Sequence, residues 1–480
     1  MNLLSTFLPA LPEIFLLIMS CVILMIGVFS KNGVPTVSFW LAKITLLVTA
    51  LLVAYVYFLL NTPSTIAFHN MFILDKLAVV LKIFILIAMI FTFWYSHLYN
   101  KDNGIPANEF YVLGLLSTLG MMVLVSAANF VTLFLGLELM SLPIYAMVAM
   151  MRSKERCIEA AIKYFIIGAV ASGMLLYGLS LFFGATHSLD LSVVASVISA
   201  MPAEAHLILI FGLVFVIAGI AFKLGAAPFH SWVPDVYDGA PSSVTLLISA
   251  APKMAAFGLA VRFFIDAAPG LHVQWDEVLI VIGLLSIALG NLVAIVQSNI
   301  KRLLAYSSIA HIGYMILGLA CGTLSGESAA LFYMVTYALT SLGVFGMIVL
   351  LSKTGFEANE ISDFSGLSQR QPWLAFMMLL MMFSLAGIPP LVGFIAKVGI
   401  LEALIREHSV WLAVVAIIFS IIGAYYYIRV VKVMYFEESK HAEKIECSPN
   451  LTTAMSINGL AVLLLGIFPS QLYVLCHSVF

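Results

Sequence analysis

Apolar segments long enough to cross a lipid bilayer recur along almost the whole chain. Of its residues, 63% are hydrophobic and only 10% are charged. A membrane-spanning helix needs about 20 consecutive apolar residues, and short polar or Gly/Pro-containing breaks separate stretches of that length here. We place the spans at 11–29, 38–60, 74–97, 110–127, 129–151, 158–184, 206–227, 243–266, 278–297, 302–322, 328–352, 372–404 (interrupted), 410–434 and 453–475. The sequence therefore predicts an all-α polytopic membrane protein with about 14 transmembrane helices.

Motifs for cofactor chemistry are missing from the sequence. The cysteines Cys21, Cys157, Cys321, Cys447 and Cys476 are scattered, and no two of them form a CxxC pair. This spacing fits neither an iron–sulfur site nor a disulfide framework, so we interpret them as packing residues. The sequence has no phosphate-binding loop, zincin helix or nucleophile elbow. We therefore expect no redox cofactor, nucleotide or metal on this chain.

The basic residues outside the spans predict one orientation in the membrane. The first run, 11–29, has no basic residue before it and no cleavage signature, so we interpret it as a retained span. With the N-terminus outside, the inward loops hold Lys31, Lys101, Arg152, Lys154, Arg156, Lys301, Arg302, Lys353, Arg370, Arg429, Lys432, Lys440 and Lys444. Only Lys76, Arg262 and Arg406 flank the outer side. Cytoplasmic loops are the basic ones, so both termini are expected in the periplasm of a multi-pass inner-membrane protein.

Four charged residues lie deep inside apolar segments: Lys223, Lys253, Lys397 and Glu138. Each costs roughly 2.5–3.5 kcal/mol at the centre of a membrane helix on insertion scales. Such residues usually mark a pathway for ions or protons. The alternative is a structural ion pair inside the bundle, for which Glu138 is the available carboxylate.

Two further lysines, Lys82 and Lys163, lie nearer the ends of their predicted helices. A long lysine side chain can bury its stem and extend its ammonium group to the membrane surface. That is the alternative for both residues, and Lys163 is kept as a candidate for proton translocation.

Two of the predicted helices are broken next to a lysine. Gly225 and Pro228 interrupt the segment that holds Lys223, and the run at 385–390, LAGIPP, interrupts the segment that holds Lys397. Proline removes a backbone donor, and irregular backbone within a bilayer is tolerated only where protein or a wet cavity surrounds it. The breaks therefore indicate an internal, partly hydrated site.

The spacing of these residues suggests an internal duplication. Glu138 and Lys223 are 85 residues apart, and His311 and Lys397 are 86 residues apart, although the proline follows the first lysine and precedes the second. Five spans per repeat would make the two repeats inverted in the membrane, each with one broken helix. We expect an N-terminal three-helix segment (1–105), a first five-helix repeat (106–270), a second five-helix repeat (271–436) and a C-terminal helix (437–480).

The buried groups suit proton movement better than metal-ion binding. Burial disfavours a charged ammonium and a nearby carboxylate favours it, so a buried lysine can load and release a proton. His230 and His311 titrate near neutral pH in water and can relay protons, although a lone membrane histidine can also simply join two helices. Sodium would require several carboxylates or carbonyl oxygens at one site, and only Glu138 is clearly at mid-membrane.

Four segments resemble a known family. These are GLEL at 136–139, KLGAAPFHSWVPDVYDGAP at 223–241, KRLLAYSSIAHIG at 301–313 and AGIPPLVGFIAK at 386–397. They look like the antiporter-like subunits of respiratory complex I, and the similarity extends from about 110 to 436. The chain ends after its last span, without a long lateral-helix extension, and it has Lys397 where one type of these subunits carries glutamate. Length, span count and Lys397 favour the third type.

The resemblance implies a proton-translocating subunit of NADH:quinone oxidoreductase, a translocase with no redox centre on this chain. It implies that Glu138 and Lys223 form the first-half pair, that Lys253 connects the halves and that Lys397 lies on the exit side. Lys163 and His311 would also take part, with His230 as a relay. FMN, iron–sulfur clusters and quinone would lie in partner subunits, among which a neighbouring antiporter-like subunit and small membrane subunits are expected, and nucleic acid is not.

Two other functions share these motifs or residues. One is a subunit of a multisubunit cation/proton antiporter or of a membrane-bound hydrogenase. The other is a scaffold in which the buried charges only hold the bundle together.

Overall fold

The computed structural model describes residues 6–29, 35–202, 206–352, 356–407, 410–439 and 448–480. Of the residues considered above, Lys31, Lys353, Lys440, Lys444 and Cys447 lie outside these ranges. The helices are α1 (Leu11–Phe29), α2 (Pro35–Leu60), α3 (Lys76–Asp102), α4 (Ala107–Val125), α5 (Phe130–Val148), α6 (Glu155–Thr186), α7 (Leu191–Ala200), α8 (Leu207–Leu224), α9 (Trp232–Gly239), α10 (Ser242–Val261), α11 (His272–Ile295), α12 (Ile300–Ala320), α13 (Leu324–Leu351), α14 (Leu367–Arg370), α15 (Pro372–Ala386), α16 (Val392–Glu407), α17 (Val410–Phe436), α18 (Pro449–Ile467) and α19 (Ser470–His477).

The predicted class of fold is confirmed. Within the described ranges, 13 helices are long and apolar enough to cross a membrane. The predicted interrupted span is α15 followed by α16, which brings the arrangement to the expected number. One small feature was not predicted: strands β1 (Ser64–Ala67) and β2 (Phe72–Asp75) form an antiparallel hairpin between α2 and α3.

Three helices form the centre of the bundle. The most apolar window is completely buried in the span that contains α10, and 94% buried in α12 and α13. The corresponding windows of the first two spans are only 28% buried, which leaves those helices to face lipid. A helix that is hydrophobic on all sides belongs in a core or a membrane, so the burial pattern separates these two uses of similar sequences. Lys253 and His311 lie on central helices.

Both breaks end their first half-helix in the same way. Gly225 after α8 and Gly387 after α15 have φ of +79° and +83°. The next amide reaches back five residues in each case, from Ala226 to the Ala221 carbonyl and from Ile388 to the Phe383 carbonyl. Glycine reaches this left-handed conformation without the steric penalty of a Cβ atom, and the bonds satisfy carbonyls that the break would leave free.

Two helix starts in the middle of the chain share a second arrangement. Asn129 caps α5 and Asn299 caps α12, each through its side-chain oxygen. Asn129 forms an isolated antiparallel bridge with Asp190, and Asn299 forms one with Glu360, 170 residues further along at both positions. The backbone bonds from Phe130 to Leu189 and from Ile300 to Asn359 have the same offset.

Candidate functional site

The first part of the site lies between α5 and α8. Lys223 is in the last turn of α8, and its Nζ lies 3.1 Å from Ser141 Oγ and 3.2 Å from the Tyr145 hydroxyl, both on α5. Ser141 donates its own proton to the Leu137 carbonyl at 2.8 Å, so its oxygen accepts from the lysine. Lys223 is therefore held on the face of α5 that carries Glu138 one turn earlier.

Glu138 and Lys223 interact electrostatically but do not touch. The carboxylate acts on the Lys223 charge, yet no contact within 4.0 Å joins the two among the described residues. Atom Oε1 of Glu138 is buried and has no hydrogen-bond partner in the described part of the chain. The predicted pair is thus separated by hydroxyl groups, and the carboxylate keeps an open acceptor.

The motif around Glu138 has a packing explanation. A Cβ atom on Gly136 would lie 2.7 Å from the Leu124 backbone nitrogen of α4. Only glycine permits this approach of α4 and α5, which positions Glu138 two residues later.

The motif that follows Lys223 closes the end of α8. The Trp232 indole donates to the Phe222 carbonyl at 3.0 Å and stacks on Tyr164 with ring centroids 4.5 Å apart. His230 lies between α8 and α9, half-buried, and its Nδ1 is buried without a partner among the described residues. No hydrogen bond or ion pair in the described ranges joins His230 to Lys223, so its relay role stays a prediction.

Lys253 is buried at the junction of the two halves. It lies on α10, is 2% exposed, and donates to Ser308 Oγ on α12. Its Nζ also lies 5.7 Å and 5.8 Å from the ring centroids of Tyr237 and Tyr337. No carboxylate forms an ion pair with it in the described part of the chain. A hydroxyl and two aromatic faces therefore surround its ammonium group.

His311 connects three helices through both ring nitrogens. Nδ1 lies 2.7 Å from the Tyr333 hydroxyl on α13, and Nε2 lies 2.9 Å from the Tyr427 hydroxyl on α17. Tyr427 also shares a hydrogen bond with Ser307, next to the serine that holds Lys253. A neutral imidazole donates from one nitrogen and accepts at the other, so this arrangement can pass a proton across the ring.

Lys397 closes the end of the second broken helix. Its Nζ donates to the carbonyls of Leu385 and Ala386, at 3.2 Å and 2.9 Å, and to Ser420 Oγ at 2.9 Å. The negative end of a helix dipole favours a cation at this position. A cavity of about 10 Å³ lies between this break and His311, and Leu385 and Ala396 are among the residues that line it.

Lys223 and Lys397 occupy different positions relative to the two breaks, so the spacing-based match between them is wrong. Lys223 lies two residues before the glycine that ends α8, whereas Lys397 lies ten residues after the glycine that ends α15. The residue ten positions after Gly225 is Asp235. By the 170-residue offset of the helix starts, Glu138 corresponds to Ser308 and Ser141 corresponds to His311.

Lys163 is in ion pairs outside this chain of groups. Its side chain is 42% exposed and lies 2.8 Å from Glu159 and 3.0 Å from Asp235. Arg302 also contacts Asp235 at 3.0 Å. Burial acts to raise the pKa of Asp235, but the two cations outweigh it and hold that pKa below its usual value. The role of Lys163 in translocation stays a prediction.

Lys82 does not reach the membrane surface. It is completely buried and lies 2.6 Å from Glu13, whose side chain is 6% exposed. The snorkelling alternative is therefore wrong for this residue, because α1 supplies a buried carboxylate partner. Glu13 comes far earlier in the sequence, so only the packing of α1 against the bundle reveals the pair.

A second set of charges holds one end of the bundle together. Glu357 accepts hydrogen bonds from Tyr99 and Ser242 and lies 3.2 Å from Lys301. Burial acts to raise the pKa of Glu357, but the Lys301 charge and these bonds outweigh it and lower that pKa. Lys301 is 2% exposed. The KRLLAYS motif thus begins with an anchoring lysine, which is distinct from the buried path.

Sequence reasoning missed the hydroxyl groups that hold the titratable residues. Ser141 and Tyr145 follow Glu138 at helical spacing, so a face-by-face reading of α5 could have found them. The others on this path come from helices distant in sequence and leave no local signal: Ser307, Ser308, Tyr333, Ser420 and Tyr427. No group of three or more His, Cys, Asp or Glu residues could hold a metal in the described ranges.

Comparisons with known proteins agree with this geometry. Residues 127–423 match the family model described as NADH:quinone oxidoreductase/Mrp antiporter, TM. The chain is 60% identical to NADH-quinone oxidoreductase subunit N of Coxiella burnetii, over 99% of both chains. It superposes on a chain of respiratory complex I from Thermus thermophilus with a TM-score of 0.81 and 30% identity, covering 96% of this chain and 98% of that one. A chain of the Mrp complex from Dietzia, at 19% identity, TM-score 0.86 and coverage of 100% and 97%, shares the fold.

Proposed function

Because this chain belongs to the NADH:quinone oxidoreductase/Mrp antiporter family of membrane subunits, within its subunit N branch, we propose that it moves protons across the membrane for an NADH:quinone oxidoreductase. It is an inner-membrane, multi-span subunit of that translocase, and it assembles with other membrane subunits. The electron-transfer groups, namely FMN, iron–sulfur clusters and quinone, lie in partner subunits under this proposal.

One observation carries the proposal. Three lysines that are buried in the bundle each bind a serine hydroxyl, and a histidine between two tyrosines lies among them. Serine, tyrosine and imidazole both donate and accept hydrogen bonds, so they can pass protons between sites that load and release them. The single mid-membrane carboxylate, Glu138, can neutralise only one of the three ammonium groups. The lining therefore suits protons and offers no carboxylate cage for a metal cation.

The second half contains the most continuous part of the path. Lys253 binds Ser308, and the adjacent Ser307 binds Tyr427, which contacts His311 Nε2. A proton that arrives at one nitrogen of His311 is released from the other toward Tyr333 when the tautomer changes.

The gap between His311 and Lys397 has room for about one water. The cavity between them is about 10 Å³, at the lower bound of roughly 10–15 Å³ that one water requires. Thr336, Thr340 and Ser384 lie on its wall and can bind that water. One bridging water would continue the path from the imidazole to the broken helix.

Coupling starts at Glu138 in this proposal. Its charge acts on Lys223 without direct contact, so a movement or neutralisation of the carboxylate changes the proton affinity of that lysine. The redox energy of partner subunits arrives as such an electrostatic change. Glu138, Lys223, Lys253, His311 and Lys397 carry the protons, with His230 and Lys163 as side relays.

We also propose the division of the chain and its orientation. The equivalent caps at Asn129 and Asn299 and the equivalent glycines at 225 and 387 support two five-helix repeats at 106–270 and 271–436. These are preceded by a three-helix segment at 1–105 and followed by a final segment at 437–480. The basic loops support termini in the periplasm.

A substitution at Lys253 tests the function directly. Met is apolar and comparable in length, so Lys253→Met removes the proton site with little change in packing. In the assembled complex, reconstituted in vesicles, we expect fewer protons moved per NADH oxidised than in wild type. Lys76→Gln, at an exposed lysine at the start of α3, is the matched control. An unchanged ratio for Lys253→Met in assembled complex would refute the proposal.

A further inference from the structure

A polar groove lies between α2, α3 and the start of α18, on the opposite side of α3 from the Lys82 pair. Its volume is about 120 Å³, far above the roughly 10–15 Å³ that one water requires. Lys43, Trp94, His97 and Asn450 are among the residues that line it. None of these residues belongs to the proton path described above.

The ammonium group of Lys43 has aromatic neighbours and no anionic one. Its Nζ lies 4.1 Å from the Trp94 ring centroid and 5.1 Å from those of Phe39 and Trp40. No described carboxylate forms an ion pair with it or acts on its charge. Three ring faces orient the cation but do not neutralise it, so the groove presents an uncompensated positive charge.

His97 adds a hydrogen-bond donor to the same groove. Its ring stacks on Phe39 with centroids 4.0 Å apart, and Nδ1 lies 3.0 Å from the Tyr111 hydroxyl. When the tyrosine donates to Nδ1, the ring proton lies on Nε2, which can then donate to a ligand. The Lys43 and Lys101 charges both act on this ring, so three basic groups lie around one cavity.

The groove lies where lipid headgroups meet the protein. Lys43 is eight residues into α2, roughly 12 Å along the helix, and Asn450 is in the first turn of α18. Trp40 is 54% exposed, as is typical of tryptophan at the membrane interface. Beyond it, Ile44, Leu47 and Leu51 continue an exposed apolar stripe along α2.

We propose that this groove binds the phosphate of an anionic phospholipid, with Lys43 and His97 as its ligands and the acyl chains along the exposed stripe of α2. The charge of the groove complements an anionic headgroup, and its position places that headgroup at the membrane surface. A lipid at this site joins α2, α3 and α18, which come from opposite ends of the chain.

The test uses the assembled complex in nanodiscs that contain photoactivatable phosphatidylglycerol or phosphatidylcholine. Labelled peptides are located by mass spectrometry in wild type and in Lys43→Gln, Lys43→Arg and Lys76→Gln. We expect phosphatidylglycerol to label α2, α3 or α18 more than phosphatidylcholine does, and Lys43→Gln to reduce that labelling about fivefold, the effect of one lysine near an anionic surface. Lys43→Arg and Lys76→Gln should keep it.

The remaining outcomes decide against the lipid. Equal labelling by both lipids in wild type, or equal labelling of wild type and Lys43→Gln, would overturn the proposal. Loss of phosphatidylglycerol labelling on addition of inorganic phosphate would assign the site to a free anion instead. NADH oxidation by each variant establishes that the complex is assembled.

Discussion

The Nζ of Lys397 lies 2.9 Å from the carbonyl oxygen of Ala386, the last residue of the helix before the break. The ammonium group thus replaces backbone donors that the interrupted helix lacks, and the helix dipole stabilises its charge. Release of the proton removes this stabilisation. Any change in the distance between α15 and α16 therefore changes how tightly Lys397 holds its proton.

Lys397→Arg and Lys397→Ala should both impair proton pumping while the complex stays assembled. Arginine remains protonated, and alanine removes the site. We expect at least about a 100-fold loss in the rate of proton release at this site, the scale of a lost proton-transfer group. Proton uptake in vesicles, normalised to assembled complex, measures this. Near-normal pumping by the arginine variant would favour the scaffold function, since arginine keeps the positive charge.

Glu138→Gln should reduce pumping strongly, and Glu138→Asp should keep part of it. Glutamine fills the same space but removes the charge that acts on Lys223, whereas aspartate retains that charge at a greater distance. Both variants are compared by protons moved per NADH oxidised. Equal pumping by glutamine and wild type in assembled complex would contradict the proposed switch.

Removal of Glu357 should destabilise the protein in a pH-dependent way. Without it, Lys301 is buried and unpaired, at a cost of about 3–5 kcal/mol. The folded pKa of Glu357 is lowered from its usual 4.5, so its stabilisation is complete above that pH and disappears as pH falls through the folded pKa. Thermal unfolding of Glu357→Gln and wild type should differ by a constant amount from pH 7 to 5, and converge below about 4.5.

Glu402→Gln is the control for that experiment. Glu402 pairs with Arg406, and both side chains are more than half exposed. Such a pair contributes about 0–1 kcal/mol, so the unfolding temperature should hardly change. A similar effect of both variants would show that Glu357 has no special structural role.

The Glu13–Lys82 pair should behave as a buried ion pair. Glu13→Gln or Lys82→Met alone leaves one buried charge without its partner and should cost about 3–5 kcal/mol. The double variant removes both charges and should recover most of that loss. Thermal stability of the assembled complex measures all three. Additive losses in the double variant would mean that the two residues act independently.

A reporter fused after Phe480 should be active only in the periplasm, and one inserted near Lys154 only in the cytoplasm. The basic residues of the loops predict this orientation. Activity of the two reporters on the opposite sides would overturn it.

The sequence by itself determined the class of fold and the identity of the main buried charges. Apolar runs of spanning length can satisfy their backbone groups only as helices, so 13 spans and a broken fourteenth follow from hydrophobic pattern and from the glycines and prolines. Lysine inside such a run is costly wherever the helix packs. Lys223, Lys253 and Lys397 could therefore be selected before any contact was known.

Only the tertiary structure decided what each charge touches. Lys82 pairs with Glu13 and Lys397 binds backbone carbonyls, while Glu138 and Lys223 stay apart. Equal spacing suggested that Lys223 matches Lys397, but the glycines that end the half-helices show otherwise. Chain separation does not report which helix faces meet. The partners of a buried group come from several helices, and only their packing specifies the distances on which hydrogen bonds and charge interactions depend.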